Sequence, residues 1–214
     1  MLKRFLCLML LSVAVRVFAA PAPAPVILVM GDSLSAAYGI ETAQGWVALL
    51  AQRLARDGYH YHVVNASVSG DTSAQGLTRL PLELARHRPA IVVLELGAND
   101  GLRGLAVNAL QANLARMLGL ARQAGAKVLL IGIYLPPNYG PEYTQKFAAV
   151  YPQLAQQYHV PLVPFLLAGV AEHRELMQAD GLHPIAAAES RVLANVWPRL
   201  EPLLRRTPAG RARK

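Results

Sequence analysis

The stretch VILVMGDSLS, residues 26–35, decides the fold of this chain. Residues 26–30 form a continuous apolar run, and Gly31, Asp32 and Ser33 follow it directly. A short apolar run that ends in turn residues is typical of a strand buried on both faces of a parallel sheet. Such sheets place their working sites just beyond the carboxyl ends of the strands. The stretch therefore predicts a first buried strand with candidate functional residues at its end.

The same alternation of short apolar runs and longer amphipathic segments continues along the chain. It predicts a parallel sheet with helices on both faces, an α/β fold of three α/β/α layers. Pro152 is expected to bend or interrupt its helix, and Pro184 is expected to open the last helix, which runs towards Leu204. The further strands are predicted at 60–65, 91–96, 127–134 and 160–165, and the other helices at 46–57, 77–86, 106–124 and 141–158.

The two ends of the chain differ in composition from its body. Lys3 and Arg4 precede an apolar run at 5–15 that small residues close, which is the layout of a secretory signal peptide over residues 1–19. An uncleaved N-terminal anchor is the alternative. Cys7, the single cysteine, lies in this segment, so removal of the signal peptide would leave the mature protein without a thiol. The predicted organisation is then a Pro/Ala linker at 20–25, one domain at 26–204 and a basic tail at 205–214.

The formal charge of +8 comes from these ends. Three cations lie in the leader and five lie at 205–214, so the body is formally neutral. A neutral body gives no electrostatic support for binding nucleic acid. The tail is either a solvated end or a weak contact for anionic lipid. We expect an exported monomer, periplasmic or secreted, with no integral membrane span after processing.

Four polar turns carry candidate chemistry. Ser33 can sit at a helix N-terminus and needs a base to act as a nucleophile. Asp180 and His183 are three residues apart, a spacing that lets the carboxylate orient the imidazole. Gly70 and Asn99 follow the second and third predicted strands and can donate to an oxyanion. Taken singly, these residues also fit helix caps and ordinary turns. Together they supply every group that an acyl hydrolase needs.

Other polar and apolar residues are weaker candidates. His60 and His62 share one face of a predicted strand, but two ligands without a third are a weak metal site. Asp71 and Asp100 are expected to fix turns through side-chain hydrogen bonds. Four further residues lie on loops expected to border the site, where they either line an acyl pocket or pack the loops: Leu102, Leu105, Pro137 and Tyr139.

These motifs resemble the SGNH (GDSL) hydrolase family, over nearly the whole mature chain. The matching blocks are Gly31-Asp32-Ser33-Leu34, Gly70, Gly97-x-Asn99-Asp100 and Asp180-x-x-His183. The segments 64–72 and 96–104 carry a closer likeness to the exported bacterial esterases of that family that also act on thioesters and lysophospholipids. Ala98 stands where a second glycine is common in those relatives.

The resemblance implies a flavodoxin-like SGNH hydrolase fold and a role for each matching residue. Ser33 would be the nucleophile, His183 the general base and then acid, and Asp180 the group that orients His183. The backbone N–H groups of Ser33 and Gly70 and the side chain of Asn99 would form the oxyanion hole. The family uses no metal, and no cofactor is expected.

The resemblance therefore implies a serine esterase that hydrolyses small-molecule carboxylic esters and thioesters, including aryl esters, acyl-CoA-type thioesters and lysophospholipids. A carbohydrate O-deacetylase of the same family is the enzymatic alternative, because it would share the chemistry and differ only in its pocket. A non-catalytic envelope binding protein on the same scaffold is the alternative from another class.

Overall fold

The computed structural model describes residues 23–205, and its centre is a five-stranded parallel sheet in the spatial order β2-β1-β3-β4-β5. The chain runs outward from β1 to β2 and then crosses back to β3, so the topological switch point lies between β1 and β3. Ligands of open α/β sheets bind beyond the carboxyl ends of the strands at such a point. The strands are β1 (Val26–Gly31), β2 (His62–Asn65), β3 (Ile91–Glu95), β4 (Lys127–Ile131) and β5 (Leu162–Val163).

Helices cover both faces of the sheet and complete three α/β/α layers, which confirms the predicted fold class. One face packs against α1 and α6, and the other packs against α2, α4 and α5. The short helix α3 follows β3 at the carboxyl edge. The helices are α1 (Trp46–Arg56), α2 (Ser73–His87), α3 (Ala98–Leu102), α4 (Val107–Gln123), α5 (Pro141–Tyr158) and α6 (Glu189–Leu200).

Successive residues of the central strand β1 serve the two cores in turn. Ile27 and Val29 pack into the cluster beneath α1 and α6. Leu28 and Met30 pack into the cluster beneath α2, α4 and α5. Side chains alternate between the faces of a sheet, and both faces are covered here, so the strand is apolar at every position. This is why the opening run could be identified as a buried strand.

Pro152 does not interrupt its helix, and the prediction for Pro184 was wrong. The helix α5 runs continuously through Pro152, which is exposed, because the buried side chains of Phe147, Tyr151 and Leu154 hold it against the sheet. This packing outweighs the cost of about 3 kcal/mol that proline carries inside a helix. Pro184 does not open the last helix. It forms an antiparallel bridge with Met177, while α6 begins at Glu189 after a short 3₁₀ turn.

The predicted signal peptide at 1–19 lies outside the described residues, as do half of the predicted linker at 20–25 and all of the tail but Arg205. Within residues 23–205, every helix is too short or too polar to cross a membrane.

A buried carboxylate joins the starts of α1 and α6. Glu189 is 1% exposed, and its Oε2 accepts from the backbone N–H of Trp46 at 2.7 Å. Gly45 precedes Trp46 and has no side chain to cap α1, so Glu189 does this from a distant part of the chain. Burial raises the pKa of Glu189 to about 7, although the hydrogen bond from Trp46 opposes this.

Glu189→Gln is expected to stabilise the protein above neutral pH. The folded protein holds a proton on Glu189 that the unfolded chain releases between about pH 4.5 and 7, so the wild type loses stability as pH rises through that window. The amide still accepts from Trp46 and does not ionise. Urea unfolding should show a gain of about 1–3 kcal/mol at pH 8 and little difference near pH 4.5. An equal difference at both pH values would contradict this cause.

Candidate active site

Ser33 lies on a tight turn at the end of β1. It does not begin a helix: residues 33–39 form consecutive turns, in which Tyr38 N–H donates to the Ser33 carbonyl at 3.2 Å. Asp32 Oδ1 accepts from the backbone N–H of Leu34 at 3.1 Å and fixes the start of this turn. Only glycine fits at position 31, because a Cβ there would come within 2.6 Å of Glu95 Oε2. The turn therefore presents Ser33 at the carboxyl edge of the sheet.

The structure brings Ser33, His183 and Asp180 into one hydrogen-bonded chain. His183 Nε2 lies 2.8 Å from Ser33 Oγ, and His183 Nδ1 lies 2.7 Å from Asp180 Oδ2. An ionised carboxylate only accepts hydrogen bonds, so the imidazole proton lies on Nδ1. Nε2 is then free to accept the proton of the Ser33 hydroxyl. The arrangement can raise the nucleophilicity of that hydroxyl.

Asp180 is held in its ionised form. Partial desolvation raises the pKa of Asp180, but hydrogen bonds from the backbone N–H of Leu182 and from His183 outweigh it and lower the pKa to about 2. Asp180 Oδ1 accepts from the N–H groups of Leu182 at 2.9 Å and His183 at 3.1 Å. One oxygen thus fixes the loop while the other orients the imidazole.

Gly70 lies in the turn after β2, and Asn99 lies in the short helix after β3, beside the Ser33 turn. Gly70 has a φ of +86°, which L side chains rarely adopt. Its carbonyl accepts from Arg103 Nη2 at 2.8 Å. Asn99 Nδ2 donates to the Asp71 carbonyl at 3.0 Å and makes a longer contact of 3.4 Å with Asp32 Oδ2. The sequence suggested an open turn at Asn99, but the residue lies in the helix α3.

Asp71 and Asp100 are buried and bind neighbouring groups, as expected for residues that fix turns. Asp71 Oδ2 pairs with Arg79, whose Nη1 also donates to the Ala66 carbonyl at 2.9 Å. Asp100 accepts from the backbone N–H of Ser73 at 2.7 Å and from its hydroxyl at 2.5 Å. Asp71 thus ties the loop before α2 to that helix, and Asp100 ties the start of α2 to α3.

Two carboxyl groups are buried behind Ser33, and one of them, Glu95, was missed from the sequence. Glu95 and Asp32 are both fully buried, and Glu95 Oε2 accepts from Ser35 Oγ at 2.7 Å and from the Asp32 N–H at 3.3 Å. Burial and the nearby Asp32 charge raise the pKa of Glu95 well above its usual range. Burial also raises the pKa of Asp32 to about 7, against its hydrogen bond from Leu34. The sequence did carry a signal for Glu95, because it is an acidic residue inside the apolar run 91–96.

An apolar groove of about 190 Å³ opens beside Ser33 and His183. Tyr134 and Phe165 stack face to face along it, with ring centres 4.7 Å apart. Such a surface suits an acyl chain or an aryl group. The remaining lining residues are Leu34, Ala98, Asn99, Leu102, Ile133, Leu135, Pro136, Leu166, Leu167 and Leu182.

One of the four predicted pocket residues lies in this groove. Leu102 lines it, whereas Leu105, Pro137 and Tyr139 do not. The Tyr139 hydroxyl instead donates to the Leu102 carbonyl at 2.9 Å, so it binds the end of α3. Leu105 is 42% exposed, and its carbonyl accepts from Tyr143. The neighbouring run 133–136 enters the groove in their place, because it directly follows β4.

His60 and His62 lie at the opposite edge of the sheet, where β2 begins. Across residues 23–205, no three side chains of the metal-binding types His, Cys, Asp and Glu come together in a way that would hold an ion.

The site contains a serine hydroxyl that is hydrogen-bonded to an imidazole, and the imidazole is hydrogen-bonded to a carboxylate. This arrangement, at the carboxyl edge of a parallel sheet, defines a serine ester hydrolase. The chain belongs to the GDSL-like lipase/acylhydrolase family, whose sequence model matches residues 29–190. This confirms the resemblance found in the motifs around Ser33 and His183.

Named relatives extend over most of the chain. It is 61% identical to esterase TesA of Pseudomonas aeruginosa over 183 residues, which is 86% of this chain and 91% of the relative. It is 43% identical to thioesterase 1/protease 1/lysophospholipase L1 of Escherichia coli K12, over 86% of each chain. A crystal structure of TesA matches 84% of this chain and 99% of its own, with 61% identity and a TM-score of 0.82.

Proposed function

We propose that this protein hydrolyses carboxylic esters and thioesters of apolar acyl groups through an acyl-enzyme on Ser33. The observation that carries the proposal is the Ser33–His183–Asp180 chain opening into an apolar groove. A relative of the chain is named a thioesterase and lysophospholipase, which supports acyl thioesters and lysophospholipids as substrate classes. The stacked aromatic rings of Tyr134 and Phe165 support aryl esters.

In the proposed reaction, His183 Nε2 takes the Ser33 proton as Oγ attacks the acyl carbonyl. The imidazole then carries a positive charge beside Asp180, and it gives the proton to the leaving group. Water, activated by His183 in the same way, releases the acid and restores Ser33.

The negative charge on the reacting oxygen needs donors that are already in place. We assign this to the backbone N–H groups of Ser33 and Gly70 and to Asn99 Nδ2. The amide of Asn99 keeps its 3.0 Å bond to the Asp71 carbonyl, while its 3.4 Å contact with Asp32 is long enough for an oxyanion to replace. Donors fixed in this way stabilise the transition state without having to reorganise.

A substrate series tests the proposal against the two alternatives. We expect p-nitrophenyl esters and acyl thioesters to be cleaved faster as the acyl chain lengthens beyond acetyl, and lysophospholipid to be cleaved too, because the groove is mostly apolar. A preference for acetyl-xylan with no gain from chain length would favour a carbohydrate O-deacetylase. Failure of a serine-reactive phosphonate to label Ser33 would favour a non-catalytic binding protein.

We further propose that the protein acts after export, in the periplasm or outside the cell, as a monomer. The basic start and apolar run of residues 1–19 support removal of a signal peptide, and the single domain would then span 26–204. The cluster of cations at 205–214 supports a weak contact with anionic lipid.

A further inference from the structure

The side chain of Gln178 lies between the two loops that carry Ser33 and His183. Its Nε2 donates to the Tyr38 carbonyl at 2.8 Å and to the Pro184 carbonyl at 2.9 Å. Both partners are carbonyl oxygens, which only accept, so the amide nitrogen must be the atom that faces them. Each amide hydrogen therefore binds a different loop.

The backbone of Gln178 is held just as firmly. Its N–H donates to the His183 carbonyl at 2.7 Å, and its carbonyl accepts from Arg174 Nη1 at 2.5 Å and from the Gly181 N–H at 3.0 Å. Arg174 Nη2 also donates to the Ala179 carbonyl at 2.9 Å. The side chain of Gln178 thus extends from a braced segment and can transmit its position to the Ser33 turn.

These bonds bear on the contact between Ser33 and His183, which are 150 residues apart in sequence. Both residues lie on irregular segments, so neither a shared helix nor a shared strand sets their separation. The turn that Gln178 binds also places Tyr38 against the His183 ring, with ring centres 4.6 Å apart. A displacement of about 1 Å at such a contact can cost about 10²-fold in rate.

We propose that Gln178 is a positioning residue that sets the distance between the Ser33 hydroxyl and the His183 imidazole by binding both of their loops. The proposal rests on the proposed acyl-enzyme function. It assigns Gln178 no contact with substrate, so its effect belongs to the rate of acylation and not to substrate affinity.

Two variants test the role through different defects. Gln178→Glu keeps the side-chain length but replaces both donors with acceptors, and Gln178→Leu removes the polar atoms. Both are expected to lower kcat for a p-nitrophenyl ester by about 10–10²-fold, with KM within about threefold of wild type. The rate at which a phosphonate labels Ser33 should fall by the same factor, because that reaction also needs the aligned imidazole.

Lys127→Met is the matched control. Lys127 Nζ likewise donates to a backbone carbonyl, that of Leu203 at 2.7 Å, but at the opposite edge of the sheet. This variant should retain wild-type kcat. A thermal melting curve of each variant gives the fraction that is folded at the assay temperature. Three outcomes would overturn the proposal: kcat within twofold of wild type in both Gln178 variants, an equal loss in Lys127→Met, or a loss that matches the unfolded fraction. A wild-type protein that neither cleaves esters nor reacts with phosphonate would contradict the proposed function itself.

Discussion

Ser33→Ala is expected to lower kcat/KM for p-nitrophenyl esters by about 10⁴-fold or more. The hydroxyl is the atom that lies 2.8 Å from His183 Nε2, and alanine leaves no group that can form the acyl-enzyme. The residual rate would come from the proposed oxyanion donors and from substrate binding alone. Initial-rate kinetics measure the loss, and mass spectrometry checks that a phosphonate labels the wild type and not the variant.

The fold should survive this change, because Ser33 lies on an edge turn and contributes no apolar packing. Ser190→Ala provides a control: Ser190 is an exposed serine of α6, and its loss should leave activity unchanged. An Ser33→Ala protein that melts like the wild type and still cleaves esters at the wild-type rate would eliminate the acyl-enzyme mechanism.

Asp180→Asn is expected to lower kcat by about 10³–10⁴-fold near pH 8. The asparagine oxygen can keep the bonds to the backbone N–H groups of Leu182 and His183, but its amide then faces His183 Nδ1. Because an amide nitrogen only donates, the imidazole proton moves to Nε2. That nitrogen can no longer accept from Ser33. The variant therefore preserves the loop and reverses the direction of the hydrogen bonds.

The pH dependence of the wild type separates Asp180 from the other groups. The pKa of Asp180 is lowered to about 2, so its charge is constant over any practical assay range. A loss of activity towards acid pH is therefore not expected to come from Asp180. Glu175→Gln is the matched control, because Glu175 pairs with His173 at 3.2 Å in the same part of the chain. A similar loss of kcat in Asp180→Asn and Glu175→Gln would point to a general effect of removing a negative charge and not to the orientation of His183.

The alternation of strands and helices could be predicted because both faces of the sheet are covered. Strands such as β1 and β3 are then apolar throughout, while helices such as α1 keep one polar side. The ends of the elements were harder to predict. Pro152 continues inside α5 because that helix packs on the sheet, and Pro184 does not begin α6 because it bridges to Met177.

Ser33, Asp180 and His183, which the structure brings together, could be singled out because they follow a strand or lie in the loop before the last helix. Glu95 was missed because it lies inside an apolar run, where only the folded structure shows that it meets Ser35 and the Asp32 N–H. Gln178 was missed because its partners, the Tyr38 and Pro184 carbonyls, are backbone atoms with no sequence signature.

The sequence by itself determined the fold class and the order of the polar motifs, because burial dictates which positions are apolar and turns dictate where polar groups follow. The family roles of Ser33, His183 and Asp180 also rest on motifs that can be identified in the chain. Tertiary structure alone decided the 2.8 Å contact across 150 residues, the apolar groove that excludes Leu105, Pro137 and Tyr139, and the burial of Glu95. These features depend on which loops meet at the edge of the sheet, and local sequence patterns do not encode distances between loops.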